Sequence, residues 1–318
     1  MAAGTVTDGL QRLEVLLRPI YEAIKKRNPD GDWHLADETR WRVFVVLEGK
    51  QGYGWWLWVL SGPDTVAYVL DANRSHAVPE DHYRAESRGV LVVDRYSAYK
   101  AMIWVKDGVI VLAFCWSHVR RDFIRVGKGW PELKPWALQW LGRIRVLYQL
   151  NHRRLAAEKG SVPFGEADCC LRQAVAEMKM QRETELVRAD LATPCRKVLE
   201  SLAAHWEGLT LFVDDPRIPM DNNASERRAR GPAVARKNFY GSGSLWSGQL
   251  AAAAFTIFAT LVLWKLNPRK WLTWYFEQCA AAGGKVPGDI ELFLPWSLSQ
   301  EKKQELGGPG SKEGDDTS

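Results

Sequence analysis

Three carboxylates stand out by type and setting: Asp37 in HLADETRWRVF, Asp94 in GVLVVDRYSAYKA and Glu226 in MDNNASERRARGPAVARKNF. The first two lie on or beside apolar, β-branched runs, as carboxylates at strand ends do. The third sits in a polar, basic stretch of helical character. Phosphodiester cleavage needs a nucleophilic oxygen, an in-line leaving oxygen and stabilisation of charge on both, which a carboxylate-held pair of metal ions supplies. Two strand-borne aspartates and a distant helix-borne glutamate in a basic chain are the skeleton of such a site acting on nucleic acid. Each residue alone carries a plainer reading. An aspartate at a strand end is ordinarily a turn or cap residue, and Asn223 followed by Glu226 three residues later makes a capping box. Glu38, Asp214, Asp215 and Asp221 are further carboxylates nearby.

The elements that must position the three residues are legible in outline. Leu10, Leu13, Leu16, Leu17, Ile20, Tyr21 and Ile24 recur at three- and four-residue steps and predict an amphipathic helix. RWRVFVVLEG and GWWLWVLSG flank a turn containing Gly49, Gly52 and Gly54, which predicts a hairpin. A third strand is expected near residues 64–71, a helical patch near 78–86, and GVLVVD as an apolar strand buried within a sheet. A short helix at 97–104 and the strand VIVLAFC follow. Strand signals then vanish from 119 to 211, where Leu, Ala, Arg, Gln and Glu recur at helical spacing. A helix bearing Glu226 comes next, and then an apolar run at 250–264 interrupted only by Thr256 and Thr260. That run is shorter than the roughly 20 residues a membrane span needs, so it reads as a buried core helix.

Composition bounds the class. With 318 residues the chain can build one substantial core and an inserted subdomain. A hydrophobic content of 46% with 25% charged residues is that of a soluble globular protein. The net charge of +5 is locally concentrated, in Arg120 and Arg121, Arg143 and Arg145, Arg153 and Arg154, and the group Arg227, Arg228, Arg230, Arg236 and Lys237. Clustered arginine favours phosphate; the middle clusters read equally well as solvated helix faces. Five cysteines, odd in number and irregularly spaced, are not a disulfide framework and fit a reducing cytoplasm. The N-terminal residues show no secretory signal pattern. Cys115 and His118 have a C-x-x-H spacing without the second ligand pair that zinc needs. Of the sixteen tryptophans, Trp55, Trp56 and Trp58 share one strand and suit a covered sheet, although aromatics also stack on unpaired bases.

DET before a hydrophobic strand, VVDRYSAY, CWSHVRRDF, DNNASERRARGPAVARKNFYGSG and FLPWSL stand in an order that resembles the insertion-sequence-66 family of bacterial transposases, over roughly residues 8 to 298. The resemblance implies an α/β fold with an RNase H-like core, a mixed sheet in the order β-β-β-α-β-α-β, and an all-helical insertion before the last acidic residue. It implies an N-terminal helix over 1–30, core segments over 31–118 and 212–265 around the insertion at 119–211, a small C-terminal helical region over 266–298 and a disordered tail over 299–318. Asp37, Asp94 and Glu226 are then the catalytic, metal-binding residues, with two Mg2+ ions for which Mn2+ substitutes. Arg120, Arg121, Arg227, Arg230, Arg236 and Lys237 are the expected DNA contacts, and Arg74 has a counterpart in the family pattern. His118 and Arg120 are expected near the active site or the DNA, or else Cys115 packs in the core and His118 caps a helix. Expected partners are transposon ends and target DNA, element-encoded accessory proteins and further copies of the chain, with no membrane, in a bacterial cytoplasmic, nucleoid-associated setting. Family members carry a helical stretch and a cysteine-rich zinc module upstream of DET. This chain is expected to lack both and so to prefer transposon ends only slightly. The alternative function is a catalytically inactive DNA-binding remnant of a truncated element.

Overall fold

A computed structural model of the chain describes residues 3–46, 48, 52–84 and 86–307. In chain order the elements are α1 (Ala3–Arg27), β1 (Trp33–Arg42), β2 (Gly54–Ser61), β3 (Val66–Asp71), α2 (Ala77–His82), β4 (Gly89–Val93), α3 (Ser97–Ala101), α4 (Ile103–Lys106) and β5 (Ile110–Phe114). Helices then follow one another: α5 (Trp116–Gly129), α6 (Lys134–Ala156), α7 (Val162–Leu186), α8 (Thr193–Ala204), α9 (Trp206–Asp214), α10 (Asn223–Phe239), α11 (Leu245–Leu263), α12 (Pro268–Ala281) and α13 (Gln300–Leu306). The protein is thus α/β and mostly helical, with a five-stranded mixed sheet of order β3-β2-β1-β4-β5. Along the chain its elements run strand-strand-strand, helix, strand, helices, strand, the expected sequence. The chain divides into two compact units.

The first unit comprises Met1–Gly89, Ala101–Val109 and Ala224–Ser318. Its strands β1, β2 and β3 form an antiparallel meander in which Asp37 faces Val59 and Trp41 faces Trp55. Gly52 takes a φ of 75° ahead of β2, a left-handed conformation glycine adopts without Cβ penalty; Gly49, part of the expected turn, lies outside the described residues. Trp41, Val43, Trp55, Leu57, Val59, Val66 and Tyr68 make a core with Ala229 of α10 and Ala252 of α11. The amphipathic stripe of α1 is buried at Leu17, Ile20 and Ile24, while Leu10 near its start is 41% exposed.

Helix α11 is long and apolar enough to cross a membrane by length and composition. Here it lies on β3, and the two threonines that interrupt its apolar run explain how. Thr256 Oγ1 accepts the Tyr68 N–H at 2.8 Å, and Thr260 Oγ1 accepts the Val66 N–H at 3.1 Å. Four helical residues rise about 6 Å and two strand residues about 6.6 Å, so an i, i+4 pair of hydroxyls meets successive outward amides of an edge strand. Free edge amides would otherwise invite pairing with another chain.

A second core of this unit joins α1 to Ile257 and Leu261 of α11, Trp271 and Tyr275 of α12, and Phe293, Leu294 and Leu298. Trp271 Nε1 donates to the Phe293 carbonyl at 2.9 Å and Tyr275 Oη to the Leu16 carbonyl at 2.7 Å. FLPWSL therefore marks packing. Residues 300–306, expected to be part of a disordered tail, instead form α13. Ser299 Oγ accepts the Lys302 N–H at its start and Leu306 is buried in the same core. The Asn267 N–H donates to the Leu306 carbonyl at 2.8 Å and Lys270 Nζ to the carbonyls of Glu305 and Gly307, docking contacts that composition averaged over a tail does not register. Residues 308–318 lie outside the described ones.

The second unit comprises Val90–Lys100 and Ile110–Asn223. Leu91, Val92 and Val93 of β4 are buried, and the Cys115 N–H donates to the Val93 carbonyl at 3.0 Å. From α5 to α9 the unit is helical. Helix α5 buries Trp116, Val119, Phe123 and Val126, and α6 buries Ala137, Trp140, Ile144, Leu147, Asn151 and Arg154. These are the three- and four-residue steps of one helix face. Phe123 and Trp140 stack with centroids 5.3 Å apart.

Arg154 contradicts the reading of its cluster as phosphate contact or solvated face. It is fully buried and donates to Asp168 at 2.9 Å, to Asn151 Oδ1 at 2.7 Å and to the carbonyls of Phe212 and Val213 at 2.6 and 2.8 Å. Those carbonyls belong to the last turn of α9, which has no further helical amides to use. Glu185 of α7 likewise accepts the indole N–H groups of Trp136 at 2.6 Å and Trp140 at 3.2 Å.

Candidate active site

Asp37 belongs to the first unit and sits mid-strand in β1. Side chains alternate across a strand, so Leu35, Asp37, Thr39 and Trp41 share one face, the face on which Trp41 enters the core with Ala229 and Ala252. Glu38 takes the other. There its carboxylate is bound by Arg74 at 2.6 Å and the Arg74 guanidinium lies 4.6 Å over the Trp56 ring. One step along the strand thus separates a carboxylate aimed at the helix layer from one held in an ion pair, and Arg74 is engaged in that pair.

Helix α10 carries Glu226 onto the Asp37 face. Ser225, Ala229 and Pro232 are its buried stripe. Ser225 Oγ donates to the Val59 carbonyl at 3.4 Å, and Val59 is the register partner of Asp37. Tyr68 Oη donates to the Arg228 carbonyl at 3.1 Å. Farther on, the Arg236 guanidinium donates to the Arg40 carbonyl, and the Ser242 N–H to the Arg42 carbonyl at 2.8 Å. The contacts advance along β1 in the same direction as along α10, so the helix starts at the Asp37 row and ends beside Arg42. Glu226, directly after Ser225, is half-buried at that start. The start of α10, which carries Glu226, therefore lies over the Asp37 row of this helix–hairpin layer.

Asp94, in the second unit, follows β4 directly. Its Oδ1 accepts the Tyr96 N–H at 2.8 Å, an Asx turn that fixes the carboxylate at the strand end. The next residue, Arg95, is tied to Asp122 and to Ser201 Oγ, the latter at 2.7 Å.

Cys115 and its neighbours do a job that spacing alone does not reveal. Cys115 is buried at the N-cap of α5, its Sγ accepts the Asn222 N–H at 3.2 Å, and desolvation pushes its thiol above the usual range. The Trp116 N–H donates to the Met220 carbonyl at 3.0 Å and Ser117 Oγ to Asn223 Oδ1 at 3.0 Å. Asp221 accepts from Tyr148 Oη at 3.0 Å and from the Asn223 N–H at 3.0 Å. The segment 220–223 is thereby fastened to the start of α5, and these residues lead directly into α10. Core packing is thus the reading that holds for Cys115, while Cys115, not His118, occupies the cap of α5. The side-by-side asparagines of DNN were the signal available in the sequence, since adjacent small polar residues before a helix ordinarily serve backbone and cap bonds.

The other neighbouring carboxylates are engaged: Asp214 with Arg172 at 2.8 Å and Asp215 with Arg217 at 2.8 Å. Of the cations expected to meet DNA, Arg227, Arg230 and Lys237 of α10 are exposed and Arg236 is half-buried. Arg120 and Arg121 are exposed on α5, with Arg121 3.4 Å from His118 Nδ1. All five cysteines are free.

Comparison with known proteins adds a family and a scale. The model of the Transposase IS66 family matches residues 1–250. Three proteins of Sinorhizobium fredii (strain NBRC 101917 / NGR234) are similar along nearly the whole chain. "Uncharacterized protein y4jD" is 29% identical over 94% of this chain and 60% of its own length. "Uncharacterized protein y4qI" is 27% identical over 90% and 54%, and "Uncharacterized protein y4hP" 27% identical over 93% and 56%. The chain spans between 54% and 60% of the length of these relatives.

Proposed function

The chain belongs to the Transposase IS66 family, a membership that implies a role in transposition, and from that premise we propose that it is a catalytic unit that cleaves DNA strands and transfers them. In this reading the fold is an RNase H-like core, and Asp37, Asp94 and Glu226 are the ligands of two divalent cations, Mg2+ with Mn2+ as a substitute. The donor set fits a hard cation, being all carboxylate oxygen. A pair of such cations held by these three carboxylates would supply activation of the attacking oxygen and stabilisation of the leaving oxygen in an in-line displacement. The chain's own residues hold and orient. The Asx turn at Tyr96 pins the Asp94 carboxylate at the end of β4, and the Ser225 contact holds the Glu226 end of α10 against the Asp37 row. Arg120, Arg121, Arg227, Arg230, Arg236 and Lys237 take backbone phosphates, the contacts that position DNA without reading sequence. Partners in this reading are transposon ends, target DNA, accessory proteins and further copies of the chain, in a cytoplasmic, nucleoid-associated setting.

The observation that supports the proposal is the bond from Ser225 to the carbonyl opposite Asp37, because it seats the start of α10, the helix that carries Glu226, over the strand row of Asp37. The test is metal-dependent nicking of duplex DNA by wild type and by Asp94→Asn, which keeps the acceptor for Tyr96 while removing the charge. Loss on the order of 10³-fold in cleavage with DNA binding retained is expected, the several kcal/mol of metal-based stabilisation expressed as rate. Equal cleavage by both proteins would sink the triad. Metal-independent DNA retention with no cleavage by either would mark a catalytically inactive remnant.

A further inference from the structure

Beyond the carboxylates, the first unit has a cleft of about 750 Å3 between the end of β1 and the turn after α10, within the roughly 300–1,000 Å3 of small-ligand sites. Arg40, Arg42 and Arg236 line it together with Phe44, Tyr53 and Tyr240, and among the described residues no carboxylate does. The rings are open to water: Phe44 is 42% exposed, Tyr53 46% and Tyr240 69%, and Phe44 and Tyr53 meet edge to face at 5.5 Å. The Arg40 guanidinium lies 5.6 Å over the Trp56 ring and Arg236 donates to the Arg40 carbonyl, but no acid among the described residues lines the cleft to neutralise the three arginines. The cluster therefore favours an anion, and exposed aromatic faces favour a flat apolar partner. Lone exposed rings need no explanation; three of them interleaved with three arginines do.

The backbone supplies an independent observation. Tyr240 has a φ of 63°, a left-handed conformation that costs a bulky residue energy and that glycine adopts freely. The surrounding turn holds it there. The Tyr240 N–H donates to the Arg236 carbonyl, the Gly241 N–H to the Phe239 carbonyl and the Phe44 N–H to the Ser242 carbonyl, each at 2.8 Å. A Cβ on Gly241 would meet the Arg42 carbonyl oxygen at 2.4 Å, so the turn is seated directly on β1. Strain maintained to project a ring into solvent points to a use for the ring.

We propose that this cleft is a subsite for one unpaired deoxynucleotide, its base stacked on the Tyr240, Phe44 and Tyr53 rings and its phosphate held by Arg40, Arg42 and Arg236. Stacking is tolerant of base identity because every base has a π-face, and arginine serves both the phosphate and the ring. The site takes a nucleotide already out of the helix, such as one at a frayed or nicked strand end, since a paired base offers no free face. The proposal deepens the transposase reading and rests on DNA being the substrate.

The probes are a blunt duplex, the same duplex with a short single-stranded extension, and that extension with its bases replaced by abasic positions, each measured by fluorescence anisotropy at one salt concentration. Wild type binds the extended duplex more tightly than the blunt one, and the abasic extension forfeits the gain. Tyr240→Gly lowers affinity for the extended duplex by roughly 5- to 150-fold, the ~1–3 kcal/mol of one stacked base converted, and loses several-fold less on the blunt duplex. Because glycine relieves the left-handed backbone, this variant melts no lower than wild type, so weakened binding is not a folding defect. Phe44→Leu gives a smaller loss in the same direction. Equal affinity of wild type for all three probes, or an equal loss by Tyr240→Gly on all three, overturns the subsite while leaving the DNA reading intact. Failure of every probe to bind overturns the DNA reading itself.

Discussion

In the first unit two short, neutral threonines of α11 serve the buried edge of the sheet, whereas in the second two long, charged side chains, Arg154 and Glu185, tie the helices together. Thr256 and Thr260 cover two amides of an edge strand with hydroxyls that cost little to bury. Arg154 and Glu185 instead gather helix-end carbonyls, a carboxylate and two indoles around full charges. The difference follows from what each unit must satisfy. A sheet satisfies most of its backbone internally and leaves isolated edge groups, whereas a bundle of helices ends in clusters of free carbonyls. A guanidinium with five donors answers several at once. The cost is fragility, because removing one member of a buried charged group strands the others.

The largest effect should therefore come from the second unit. Arg154→Met is expected to lower its stability by roughly 3–5 kcal/mol, read by chemical denaturation and by faster amide exchange in α6, α7 and α9. A cost below about 1 kcal/mol would show that apolar packing such as Phe123 on Trp140 holds the helices and that the charged hub is incidental.

The first unit has its own buried ionisable pair. His82 Nε2 is 2.8 Å from Asn28 Oδ1 and His34 Nε2 is 2.6 Å from the Asn28 carbonyl, with the Tyr83 ring edge-on to both imidazoles. Burial, with His34, Lys25 and Arg84 adding to it, pushes the His82 pKa down to about 3, and burial lowers that of His34. Depressed imidazole pKa values leave the folded state neutral while the unfolded chain takes up protons below about pH 6.5. The His82 contribution is thus present above that pH and is lost as pH drops toward 3, at up to about 1.4 kcal/mol per pH unit, and the lowered His34 acts in the same direction. Between pH 6.5 and 5 the His82 share is about 1.6 kcal/mol, and His82→Gln should flatten the acid limb of a melting-temperature profile. An unaltered limb would assign the acid sensitivity elsewhere.

The threonine contacts should show the smallest effect. Thr256→Val keeps shape and removes the acceptor for the Tyr68 amide, at an expected cost of about 1–2 kcal/mol, read from the denaturation midpoint of the first unit. Thr260→Val should behave alike, and a loss as large as that of Arg154→Met would erase the contrast between the units.

Much of this was legible beforehand where period and chemistry coincide. The succession of strands and helices along the chain, the helices from α5 to α9 and the core role of α11 follow from residue patterns that local sterics and burial impose, and the family follows from the motifs that resemble it. The pattern also placed Asp94 at the end of β4 and Glu226 on α10, while Asp37, expected at a strand end ahead of RWRVFVVLEG, lies inside a strand that runs from Trp33 to Arg42. Arg153 and Arg154 shared one cluster, yet helical phase puts one in solvent and the other in the core. The adjacent acids Asp37 and Glu38 are told apart by the same means, since only the register of β1 decides that Asp37 faces α10 while Glu38 turns to Arg74.

Sequence by itself determined most of the elements and the apolar face of each, α13 and the span of β1 excepted, because three- and four-residue steps and two-residue alternation are local properties of the backbone. Tertiary structure alone decided which polar residues meet. The Ser225 bond to the carbonyl opposite Asp37, the fastening of residues 220–223 to Cys115 and Ser117, and the seating of the Tyr240 turn on Arg42 all join positions far apart in the chain. Such contacts leave no periodic trace, since a single hydrogen bond between distant residues constrains their separation in space and says nothing about their spacing in sequence.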